Sequence, residues 1–172
     1  MIRVDLGKCT GCRRCETACA FFHTGKINNR LSRIKVSNIY ETGIDGPVAC
    51  VQCSERYCLR CPKKALSKGT NGEIIASPTV CNLCGACQVN CPIGAIEIFE
   101  EFVFVCDLCG GNPKCIDACT ENAISFIKEE TETVSLAETK KETKKMNPSQ
   151  KRDFHIRQKG EELRRKWRKT DA

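Results

Sequence analysis

Sixteen cysteines in 172 residues fall into four tight groups of four, and no other feature limits the fold so strongly. The groups are Cys9, Cys12, Cys15, Cys19; Cys50, Cys53, Cys58, Cys61; Cys81, Cys84, Cys87, Cys91; and Cys106, Cys109, Cys115, Cys119. A thiolate is a soft anionic ligand, suited to iron–sulfur clusters and to zinc. A small chain buries little apolar surface, so bound metal has to replace part of its core. A disulfide scaffold is the alternative for a short cysteine-rich chain. Two points oppose it. The segment Met1–Cys9 has neither an apolar h-region nor a twin-arginine signal, and disulfides are rare in reducing cytosol. The expectation is a cytoplasmic metal–thiolate protein.

The spacings narrow the metal. Groups one and three both read C-x2-C-x2-C-x3-C, and Pro92 follows the last cysteine of group three. This is the ligand run of bacterial [4Fe–4S] ferredoxins, in which the fourth cysteine serves the other cluster of a pair. Proline also follows the last cysteine of group two (Pro62), whereas groups one and four lack it. That pairs group two with three and group one with four. Group four is stretched, with Gly110-Gly111-Asn112-Pro113-Lys114 between Cys109 and Cys115. Group two reads C-x2-C-x4-C-x2-C, which also resembles two zinc knuckles. Its metal is therefore either a cluster or Zn2+.

Charge must be corrected for the ligands. The formal charge is +7 with neutral thiols. Each oxidised [4Fe–4S] core on four thiolates contributes about −2, so four sites take the chain to about −1. A basic isoelectric point is thus no sign of nucleic-acid binding. Residues 1–127 hold 14 Lys/Arg and 12 Asp/Glu, while residues 128–172 hold 14 and 9, so the basic excess lies in the tail. No apolar stretch is long enough to span a bilayer.

A weak repeat, C-x-x-x-A-[Ile/Leu], begins at Cys61, Cys91 and Cys119, each time leading from the last cysteine of a group into β-formers. Short strands are expected over Ile2–Asp5, Ile34–Ile39, Leu66–Lys68, Glu73–Ala76, Ile96–Phe99, Phe102–Cys106 and Ile124–Ile127, with a hairpin turn at Asn71-Gly72. Cys84–Asn90 and Asp107–Cys109 suit cluster loops and helical turns, and Gly85 permits close backbone approach to a cluster. Residues 129–150 are too polar to order alone. Ser149–Lys169 is helix-like, with Phe154, Ile156, Leu163 and Trp167 as sparse apolar anchors and His155 expected to be exposed. The fold class expected is α+β. Residues 1–127 form an iron–sulfur ferredoxin-like region of two modules. Groups one and four make one of them, and residues 50–95 form the inserted second. Residues 128–172 form a charged arm that docks on a partner subunit.

Lys8-Cys9-Thr10-Gly11-Cys12-Arg13-Arg14-Cys15-Glu16, then Phe21-Phe22-His23-Thr24-Gly25 and Asn28-Asn29-Arg30-Leu31-Ser32-Arg33-Ile34, resemble the small iron–sulfur subunits of tungsten enzymes of the aldehyde ferredoxin oxidoreductase family, class II benzoyl-CoA reductase included. The nested ligand scheme of such four-cluster subunits implies four sites. Cys9, Cys12 and Cys15 close with Cys119. Cys106, Cys109 and Cys115 close with Cys19. Cys81, Cys84 and Cys87 close with Cys61. Cys50, Cys53 and Cys58 close with Cys91, around a fourth cluster or zinc. The cofactors implied are three or four [4Fe–4S] clusters, with one Zn2+ in the three-cluster case.

His23 is expected to take a structural or hydrogen-bonding role, since the cysteines already supply four ligands per site. Arg13, Arg14, Lys63 and Lys64 either tune nearby clusters or simply face solvent. There is no phosphate loop, no dinucleotide fingerprint and no nucleophilic triad, so the chain is not expected to catalyse anything alone. The resemblance implies a hetero-oligomeric subunit relaying electrons between an external donor or acceptor and a large tungsten- or molybdenum-pterin catalytic subunit. A free-standing polyferredoxin and a zinc-stabilised interaction protein are the alternatives.

Overall fold

With a cysteine every three or four residues, the intervening runs are too short for long elements, and the strands are three to five residues each. The computed structural model describes residues 1–127 and 134–170. All its sheets are two-stranded and antiparallel. Strand β1 (Ile2–Val4) pairs with β8 (Ile124–Phe126), Ile2 opposite Phe126. Strands β2 (Lys35–Ile39) and β3 (Ile44–Val48), β4 (Leu66–Lys68) and β5 (Ile74–Ala76), and β6 (Ile96–Phe99) and β7 (Phe102–Val105) form three hairpins. The Asn71-Gly72 turn closes the second of these, with Gly72 at φ 79°. The result is an α+β chain, as expected.

Several elements were not anticipated, a helix and a strand of the first third among them. Helix α1 (Arg14–Thr24) ends at Gly25, which is left-handed and donates its N–H to Phe21 O at 2.8 Å. It buries Cys15, Glu16, Cys19 and Ala20, an i, i+4 stripe that was the available signal. Strand β3 contains Gly46 and Pro47, which argue against a strand. It survives because a two-stranded ribbon leaves one edge unpaired, where a missing N–H costs nothing. The short helices α2 (Ala86–Asn90) and α3 (Lys114–Asp117) carry ligand-group cysteines.

The apolar core divides in two. One cluster holds Cys58, Cys87 and Cys91, packed with Leu66, Ile74, Ile93, Ile96 and Val105. The other holds Cys15, Cys19 and Cys115, packed with Ile2, Ile34, Val36, Leu108 and Ile124. Groups two and three thus share one core, and groups one and four the other. The first hairpin touches both, through Ile39 and Val48 on one side and Val36 on the other.

The tail corrects two expectations. The expectation of disorder for residues 129–150 lies, for 129–133, outside the described residues. From Val134 onward the chain is fastened to the body. Val134 O accepts from Ser54 N at 3.0 Å, Glu55 accepts from Leu136 N at 3.1 Å, and Leu136 enters the core. After helix α4 (Ala137–Glu142), fully buried Thr143 donates to Pro92 O at 2.9 Å. Tertiary contacts therefore order a segment whose composition alone would not. Helix α5 (Pro148–Thr170) then lies on the β2–β3 hairpin, burying Lys151, Arg152, His155, Ile156 and Gly160. His155, expected in solvent, is 9% exposed. The remaining turns of α5, residues 161–170, are exposed except at Leu163.

Candidate metal centre

The sixteen cysteines are all free thiols. Cys9, Cys12, Cys15 and Cys119 line one cavity, with Val36, Ala123 and Ile124. Cys50, Cys53, Cys58 and Cys91 line another, with Tyr57, Ile96 and Leu136. Cys87 lies within the electrostatic reach of Cys81 and Cys61, and Cys115 within that of Cys19 and Cys109. The extra loop residues of group four are absorbed where Cys109, Gly110 and Gly111 all take positive φ.

The repeat has a structural basis. Ala65, Ala95 and Ala123 are buried beside the turns that follow their cysteines. Ala95 N donates to Cys91 Sγ at 3.2 Å, and Ala123 N to Cys119 Sγ at 3.3 Å. Arg33 N reaches Cys19 Sγ at 3.3 Å, and Leu83 N reaches Cys81 Sγ at 3.4 Å. Amide donors at sulfur favour charge on it and raise the potential of a bound cluster.

The electrostatics state what these pockets need. Burial pushes the Cys50, Cys58, Cys15 and Cys115 thiols up to about 12, with neighbouring cysteines adding to the effect. Burial also raises Cys9, Cys53, Cys87, Cys106 and Cys109. Four thiolates packed this closely in an apolar pocket are unstable unless a polycation sits between them. The donor set, soft and all sulfur, fits an iron–sulfur core or zinc.

Around the ligands the other residues take defined roles. His23 Nε2 stands 3.7 Å from Cys109 Sγ and 3.4 Å from Asp107 Oδ1, a hydrogen-bonding position beside a ligand as expected. Burial and Arg33 hold its pKa below the ordinary value. Arg33 in turn pairs with Asp107. Arg13 is paired with buried Glu16 at 3.1 Å, and Glu16 also accepts from Val36 N at 2.7 Å. Arg14 lines the Cys9 cavity and reaches Thr120 at 3.4 Å, whereas Lys63 and Lys64 are exposed.

The comparisons with known proteins agree with this chemistry. Residues 1–24 match the family model described as a 4Fe-4S binding domain. The aliphatic sulfonate oxidoreductase, polyferredoxin-like subunit, of Pyrococcus furiosus is 42% identical over 131 residues, spanning 74% of this chain and 75% of its own length. The chain belongs to the polyferredoxin-like iron–sulfur family. The putative electron transport protein YsaA of Escherichia coli K12 is a further member-like relative of this polyferredoxin-like chain, 34% identical over 141 residues, covering 73% of this chain and 88% of its own. Among solved structures, a chain of the active site complex BamBC of benzoyl coenzyme A reductase aligns over 78% of this chain and 81% of its own at 24% identity. Its TM-score of 0.45 is below what establishes a shared fold. No helix among the described residues of this polyferredoxin-like chain is long and apolar enough to cross a membrane.

Proposed function

We propose that the chain is a four-cluster electron relay, the iron–sulfur subunit of an oxidoreductase complex with no catalysis of its own. Its clusters sit on the four nested cysteine sets and supply one-electron exchange. They pass electrons between an external redox partner and a tungsten- or molybdenum-pterin catalytic subunit in the cytoplasm. Support for a relay comes from the way the sets adjoin. Cys15 of the Cys9 set feels Cys115. Cys106, in the set with Cys115, feels Cys50. Helix α2 then joins Cys91, of the Cys50 set, to Cys87 of the last set. The series runs Cys9 set, Cys106 set, Cys50 set, Cys81 set. The observation that carries the reading is where solvent reaches it: of the sixteen cysteines only Cys12 and Cys84 are exposed, and they belong to the first and last sets. A wire needs two accessible ends and an insulated middle. A zinc scaffold needs neither.

A cluster rather than zinc in the Cys50 set is favoured by the likeness of its lining, four cysteines among apolar residues, to that of the regular Cys9 set. A tetrahedral Zn–S4 site closes on one ion. The arm's exposed outer turns, with Arg164, Arg165, Trp167 and Arg168, supply the surface for the catalytic subunit. Native anaerobic purification tests the whole reading. About sixteen iron and sixteen sulfide per chain are expected, at four of each per cluster, together with a co-purifying large subunit. Absence of acid-labile sulfide refutes the relay. A lone 19.2 kDa species on size exclusion refutes the subunit and leaves a free polyferredoxin.

A further inference from the structure

Two lysines of the C-terminal segment converge on the turn that carries Cys91. Lys151 of α5 is 1% exposed. Its Nζ donates to Val89 O at 2.7 Å and to Cys91 O at 3.0 Å, with Gln88 O at 3.5 Å. Lys140 of α4 donates to Asn90 O at 2.8 Å and Asn90 Oδ1 at 3.1 Å. It also lies 5.3 Å from the ring centre of Tyr57, which lines the Cys50 cavity. A buried ammonium is unfavourable unless its hydrogen bonds are met, and carbonyl oxygens meet them here without cancelling the charge. Neither ammonium is paired with a carboxylate among the described residues. The charged groups facing Lys151 are Cys91 and Lys140, and those facing Lys140 are Cys91, Arg60 and Lys144. Beside other ligands, Arg13 is neutralised by Glu16 and Arg33 by Asp107, while Arg14 at the Cys9 cavity is exposed and reaches the Thr120 hydroxyl. The Cys91 turn is where two ammonium groups converge with their charge uncancelled.

We propose that Lys151 and Lys140 are positioning residues that raise the reduction potential of the cluster held by Cys50, Cys53, Cys58 and Cys91, making this inner site the deepest electron well of the relay. The inference rests on the relay reading. One electron taken up by that cluster adds one negative charge, and an unpaired ammonium at Cys91 stabilises the reduced form relative to the oxidised one. The arm of the chain thereby serves its own electron path: Leu136 covers the cavity, and the two lysines behind it set the charge. Solvent-exposed lysines would be screened and contribute little, which explains why Lys151 is buried where a surface residue would have met the hydrogen-bonding needs of the turn equally well.

The test is an anaerobic redox titration of the full-length, cluster-loaded chain, followed by electron paramagnetic resonance with dithionite as reductant. Lys151→Met and Lys140→Gln are each expected to move one cluster component to more negative potential and leave the others in place, and Lys151→Arg is expected to restore it. Should Lys151→Met lose metal through its unmet carbonyls, Lys140→Gln decides. Titrations that superimpose on the parent in every component overturn the proposal, as does zinc in the Cys50 set. A parent protein with no iron or sulfide fails earlier, at the relay reading itself.

Discussion

Gly94 illustrates how one residue ties a cysteine turn to the distant arm. It sits at φ +64°, and a Cβ there would lie 2.1 Å from Pro148 O. Its own carbonyl accepts from Arg152 Nη1 at 2.9 Å. Gly94→Ala combines backbone strain with a clash against main chain that cannot swing away. It is expected to destabilise the protein by about 2 kcal/mol or more, read as a lower denaturant midpoint, with α5 detaching first. The sequence shows Gly94 as one member of a turn after Cys91 and Pro92. It does not show that Pro148, far along the chain, presses against it. The same holds for Lys151: nothing local distinguishes it from the other lysines of the tail, because the carbonyls that fix it come from Val89 and Cys91. The four cysteine groups, by contrast, are legible, since ligand spacing within a group is a local property.

Helix α5 answers to pH through His155. Burial lowers the His155 pKa to about 4, from an ordinary 6.5, with Lys159 acting in the same direction. The unfolded or undocked helix binds the proton below 6.5, and the docked one only near 4. Docking is thus at full strength above pH 6.5 and weakens as pH falls from 6.5 towards 4, by about 3 kcal/mol over the window. Trp167 is the only tryptophan, near Gly7 at the far end of the helix. Its fluorescence should report release of α5 on acidification from pH 7 to 5, and His155→Leu should abolish that response. The strands after groups two, three and four could be read in advance because β-formers follow Cys61, Cys91 and Cys119. Helix α1 and strand β3 could not. The apolar stripe of α1 is made of ligands and a buried glutamate, and Gly46-Pro47 reads as a turn. A Cβ at Gly46 would press on Leu6 Cδ2 at 2.4 Å and Ile156 Cδ1 at 2.8 Å, so the glycine lets α5 cross the hairpin without moving those side chains.

At the level of the whole molecule, charge is distributed by role. The loaded ferredoxin-like region is acidic and the outer half of α5 is basic. Arg157, Arg164, Arg165 and Arg168 line a cleft beside Tyr40, which is 92% exposed. Interfaces favour arginine and aromatic side chains. The double substitution Arg165→Glu, Arg168→Glu is expected to leave cluster content unchanged, to weaken association with the catalytic subunit, and to flatten its salt dependence. Size exclusion at increasing ionic strength reads the association and its salt dependence, and iron and sulfide analysis reads the cluster content. The pairing of β1 with β8 bears on how such a chain is made. Ile2 pairs with Phe126, and the first and fourth cysteine groups meet beside that join and where α1 packs on α3. On the proposed sets, residues 50–91 contain all eight thiols of two sites, whereas the other two sites draw on both ends of the ferredoxin-like region and have to wait, on a growing chain, for Cys115 and Cys119 to be made.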